Sequence, residues 1–125
     1  MQTFIRIIVG AVGVLAIGLA ARFFQSPVAP AAMLGVAPVG EVGVATLRGD
    51  FGGFFGVCGI LAVAAAIRNS ATLVAAPLIA IAIALTGRII SYLIDGGGAP
   101  VLQPMLVELT LLIVFGAGRA ALARS

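Results

Sequence analysis

The chain has no histidine, no tryptophan and a single cysteine, Cys58. Without imidazole, a haem or zinc centre of the usual kind is excluded, and so are Ser/His/Asp and Cys/His catalytic groups. One cysteine cannot close an intramolecular disulfide. Cys58 lies within an apolar run, where a thiol reads as a small buried hydrophobe. Charge is scarce as well. Only 9% of the 125 residues are charged, against about a quarter in a soluble domain. So few charges cannot cover a globular surface, and with 62% hydrophobic residues and a mean hydropathy of +1.29 the solvent that fits is lipid. The seven basic and four acidic residues are too few and too dispersed for a nucleic-acid surface and read as topology signals instead. No cofactor and no metal site is expected.

What is present is long apolar runs. Four of them, at about 4–24, 49–67, 71–94 and 101–118, are each long enough to span a bilayer. They predict an all-α fold, an integral membrane bundle of four transmembrane helices forming a single domain. The first run has Arg6 near its start and small residues toward its end, a signal-peptide-like pattern, but its length of about 20 residues reads as a retained spanning helix. Residues 25–47 interrupt the pattern with Pro27, Pro30, Pro38, Gly35, Gly40 and Gly43, too many breakers for a span. This segment is predicted to be a Pro/Gly-rich loop lying on the membrane surface or over the helix ends, with one short helix near 29–35.

Glycine is placed with a helical period. Gly10, Gly13 and Gly18 give the first helix small faces, and Gly52, Gly56 and Gly59 form a strip on the second at i, i+4, i+7. Both patterns predict close helix packing. A turn follows at Arg68–Ser70, and Asp95-Gly96-Gly97-Gly98-Ala99-Pro100 forms a stop between the third and fourth helices.

Four spans put both termini on one side. That side collects Arg6, Arg68, Arg119 and Arg124 with no acidic residue, so the positive-inside rule places it in the cytoplasm. The expected location is a bacterial inner membrane, with the proline-rich and triglycine loops facing outward.

The functional candidates are charges within or at the mouths of these helices. Arg88 lies seven residues before Asp95, and Glu108 seven after Val101, so each sits about 10 Å below the outer surface. Neighbouring antiparallel helices with opposite charges at matched depth predict a salt bridge. Arg48 and Asp50 stand at the outer mouth of the second helix, Arg22 at the outer end of the first, and Tyr92 one turn above Arg88. Intramembrane charges mark functional sites by default. A neutral cluster of Arg48, Asp50, Arg88 and Glu108 also suits a structural network that fixes helix register.

The motif Arg48-Gly49-Asp50-Phe51-Gly52-Gly53, followed by Thr86-Gly87-Arg88, Ser91, the Asp95-Gly96 stop and Glu108, resembles the DUF4345 family of small bacterial four-helix membrane proteins, whose function is unassigned. More loosely, the layout is similar to DoxX-like proteins. The resemblance implies the same architecture and no particular chemistry.

Three functions compete. A non-enzymatic module would bind a membrane lipid, another amphipathic ligand or a partner helix through the outer polar cluster, as a homo-oligomer or as an accessory subunit of a larger membrane complex. A small oligomeric transporter would use Glu108 as its proton-coupling carboxylate, although small multidrug transporters carry that glutamate in their first helix. An intramembrane enzyme would use Asp50 and Glu108 as acid and base, but the chain offers no obvious nucleophile or metal.

Overall fold

A computed structural model of the chain describes residues 1–124. The described residues are helical with short connections. Helix α1 spans Gln2–Gln25, α2 Val28–Met33 and α3 Gly40–Thr46; a π-helical turn over Leu47–Phe51 runs into α4, Gly52–Arg68. Helix α5 follows at Ala71–Asp95 and α6 at Gly98–Ala123. Four stretches are long and apolar enough to cross a membrane: α1, the continuous rod Gly40–Arg68, α5 and α6. The fold is an all-α four-helix bundle, and the chain is a small multi-pass membrane protein. Isoleucine, leucine, valine and phenylalanine side chains are exposed along every spanning helix, Leu15 at 73% and Ile83 at 67% among them. Water would not tolerate such a surface. Hydrocarbon requires it.

The expected segment 25–47 divides in two. Its first part holds the predicted short helix, with Pro30 and Ala31 buried beside Phe23 and Leu47. Its second part is not loop. Helix α3 begins at Gly40, whose φ of +63° lies in the left-handed region that glycine enters freely. Gly43 then rests on Pro38, where a Cβ would stand 3.0 Å from proline backbone atoms. These breakers build a helix start, so the second rod begins nine residues before the expected Gly49. Helix α6 likewise starts three residues before Val101, because Gly96 and Gly98 turn the chain in left-handed conformations and only residues 96–97 separate the two helices.

In chain order the long helices alternate direction, with α1 packed on α4, α4 on α5, α5 on α6, and α6 closing back on α1. Connections this short leave antiparallel neighbours. Asn69, in the left-handed region, ends α4, and the Ser70 hydroxyl accepts from the Leu73 N–H at 3.4 Å to cap α5. The main core, Val9, Ala62, Ala65, Val74, Ile81, Phe115 and Leu122, fills the half of the bundle near this Asn69 turn. A second cluster, Phe23, Ala31 and Leu47 with Phe51 and Phe55 packed on it, closes the other end of the α1–α4 pair, its rings at 5.6 and 5.7 Å from Phe23. The Gly96 end of α5 has no such cover, and residues 89–96 are exposed in every direction around the helix.

Small residues set the helix spacing. A Cβ on Gly13 would stand 2.8 Å from the Gly59 carbonyl oxygen, and one on Gly59 would stand 2.7 Å from that of Gly13. Gly56 faces Ala20 and Gly52 faces the Phe24 ring, so the strip of α4 meets α1 along its length. Gly10 touches Ala66, whereas Gly18 faces open space. Gly118, which no pattern in the sequence marks, brings α6 against Val9.

Candidate functional site

Helix ends leave carbonyls without intrahelical donors, and in a bilayer each must be satisfied within the protein or by the interface. Arginine does this here across helices. Arg6 of α1 donates through Nε and Nη2 to the Ala66 carbonyl in the last turn of α4, at 3.0 and 2.8 Å. Arg48, in the π-helical turn, donates through Nε to the Phe24 carbonyl in the last turn of α1, at 3.1 Å. Gln2 donates to the Ala121 carbonyl near the end of α6, at 3.4 Å. A cation at a helix C-terminus also opposes the negative end of the dipole. Arg48 therefore has a structural partner.

The charge pair at matched depth forms. Arg88 of α5 donates through Nε to Glu108 Oε1 of α6 at 2.6 Å. It is the one ion pair among the described residues. The two side chains are unequally covered, with Glu108 12% and Arg88 36% exposed. Contact is single-pronged. Glu108 Oε2 is buried without a hydrogen-bond partner, and the side-on two-bond geometry open to an arginine and a carboxylate is not adopted.

Beside the pair lies an open groove of about 360 Å³, lined by Ala84, Gly87, Arg88, Ser91, Val101 and Glu108. Residues 84, 87, 88 and 91 recur at i, i+3, i+4 and i+7, one face of α5. Gly87 lacks a side chain and has nothing within 4 Å of its Cβ position, which helps keep the groove open. Nearby hydroxyls are mostly occupied: Thr86 bonds back to the Ala82 carbonyl and Thr110 to that of Leu106, both at 2.8 Å. The groove is thus lined by a guanidinium, a hydroxyl and a carboxylate amid small apolar residues, and the Glu108 oxygen that lacks a donor is covered.

The other candidates lie elsewhere. Arg22, Arg48 and Asp50 are exposed, and Arg48 joins the π-helical turn to α1. Tyr92 is 37% exposed and is not among the groove residues; Ser91, on the same turn, is. The six candidate polar residues therefore do not form one cluster. The groove unites Arg88 and Glu108, and adds Ser91, Gly87, Ala84 and Val101. Ser91 could be found from its spacing to Arg88. Val101 could be found likewise, standing seven residues before Glu108 on the same face of α6. Among the described residues no group of three or more potential ligands could hold a metal ion.

An arrangement of this kind can hold a polar group by charge and hydrogen bonds. No protein-family model, curated protein or solved structure gives a match to this chain.

Proposed function

We propose that this chain is a non-enzymatic membrane module which seats the polar head of a lipid or other amphipathic molecule in the α5–α6 groove. The observation that carries the reading is Glu108, a buried carboxylate with one oxygen on Arg88 and the other on nothing. A buried acceptor without a donor costs about 1–3 kcal/mol, and more when charged. A ligand that supplies the donor recovers it. The groove is open and adjoins a stretch of α5 exposed on all sides, which suits a molecule that arrives from within the bilayer.

In this reading the protein sits in a bacterial inner membrane with both termini cytoplasmic, as the arginine distribution favours, and its likeness to the DUF4345 proteins extends to this module. The uncovered end of α5 serves a homo-oligomer or a larger membrane complex, in which the chain acts as an accessory subunit. Native mass spectrometry of gently extracted protein, beside an Arg88→Ala/Glu108→Ala variant, tests the proposal. A bound small molecule present in the parent and lost in the variant supports it. Equal retention, or a bare parent protein, overturns it.

The buried carboxylate also favours a second reading, a small proton-coupled transporter with Glu108 as the coupling group. Proton-driven flux in liposomes that survives Glu108→Gln would remove that role.

A further inference from the structure

Resting on the groove as a headgroup site, the balance of charge within it narrows the ligand. Arg88 and Glu108 together carry no net charge. A ligand of net charge −1 would leave an uncompensated charge in a site bordered by hydrocarbon, where such charges are costly. A neutral alcohol would satisfy the Glu108 carboxylate but leave the Arg88 Nη donors without an anion. These donors make no other hydrogen bond among the described residues, because the only bond of Arg88 is from Nε. Both deficits are met by a ligand carrying one anionic group and one N–H cation a few bonds apart.

We propose that the groove selects a zwitterionic phospholipid headgroup bearing a primary ammonium, with the phosphate on the Arg88 Nη donors and the ammonium on the Glu108 carboxylate. Four alternating charges then form a closed neutral set, each anionic oxygen facing a donor. The Ser91 hydroxyl, on the same face one turn from Arg88, offers the phosphate a further donor. Small residues at Ala84 and Gly87 leave width for the glycerol and chain roots. A trimethylammonium head has the same net charge but no N–H to give Glu108, and so it binds more weakly.

Delipidated protein in detergent is presented with equimolar ethanolamine, choline, glycerol and monoester-phosphate phospholipids of identical acyl chains, and retention is read by native mass spectrometry. The ethanolamine lipid is expected to be retained about tenfold over each of the others, the scale of one hydrogen bond to a charged group. In Glu108→Gln, where the groove carries net positive charge, preference moves to the glycerol and monoester-phosphate lipids. If wild type retains the anionic or choline lipids as well as the ethanolamine lipid, and Arg88→Ala loses them all, the headgroup site stands and this selection is wrong. If wild type retains none, the site itself fails. Displacement by an equimolar amount of free phosphoethanolamine overturns the lipid assignment. The comparison among headgroups on wild-type protein needs no variant to fold.

Discussion

The bundle contains two helix pairs built on opposite plans. Helices α1 and α4 meet through glycine, backbone against backbone at Gly13 and Gly59. Helices α5 and α6 meet at their Gly96 ends through long side chains, an arginine and a glutamate, and an open groove remains. In lipid there is no hydrophobic force to press apolar helices together, so contact density and polar bonds must do it. The first pair uses density, and the open groove beside it, lined by Ile17, Ile60, Val63, Ala64, Ile67 and Arg68, offers little but apolar side chains. The second uses a polar bond and is left incomplete. The difference teaches that an apolar bundle can be rigid and receptive at once, provided the two properties belong to different helix pairs.

Breaking the first pair should have the largest effect. Gly59→Leu must force α1 away from α4 over the whole strip and is expected to cost about 3 kcal/mol or more, measured by reversible unfolding in mixed micelles. An effect below about 1 kcal/mol would mean the interface is loose. The second pair should respond differently. Arg88→Leu and Glu108→Leu singly are each expected to destabilise by about 2 kcal/mol, below the usual range for a buried pair because Arg88 is partly exposed. The double Leu variant should return to within about 1 kcal/mol of the parent, since two apolar side chains suit lipid. Ligand retention should not return with it. A double variant as unstable as the sum of the singles would show that the two residues act independently and that their contact contributes nothing.

Two smaller tests sharpen the boundary between the pairs. Arg48→Ala removes an exposed hydrogen bond to the end of α1 and should cost about 0.5–1 kcal/mol, with retention in the groove unaltered. A fall in retention would place Arg48 back in the site. Gly18→Ala, on the open side of the same helix as Gly13, should be neutral or stabilising by up to about 1 kcal/mol.

Much of this was readable from the chain, and the part that was not has a physical pattern. Spacing gives height along a helix, because rise per residue is constant. The match of Arg88 to Glu108 followed from counting seven residues from each helix end. Spacing does not give azimuth around the bundle, which depends on which faces pack. Arg48 shares the right end of the bundle but reaches α1, since the glycines of α4 turn that face of the rod toward α1. The strip Gly52, Gly56 and Gly59 was legible as an interface, though not which helix would meet it. Pro38, Gly40 and Gly43 read as breakers because their usual role is to stop helices; here one carries the left-handed entry and another the close approach beneath it. Nothing in Leu47-Arg48-Gly49-Asp50-Phe51 announces a π-helical turn.

That turn has a consequence for the length of the chain. An i→i+5 turn holds one residue more than the α-helix around it, so the rod Gly40–Arg68 contains a built-in surplus. Loss of one residue from an ordinary spanning helix rotates everything on one side by about 100° and scrambles its contacts. Loss of Gly49, which is exposed and has nothing near its Cβ position, should merely relax the wide turn to an ordinary one. Both faces of the rod would keep their orientation, with Gly43 still on Pro38 and Gly59 still on Gly13. Among the described residues this is the one π-helical turn in the four spans, and so a place where evolution could shorten the protein by a residue and leave its architecture standing.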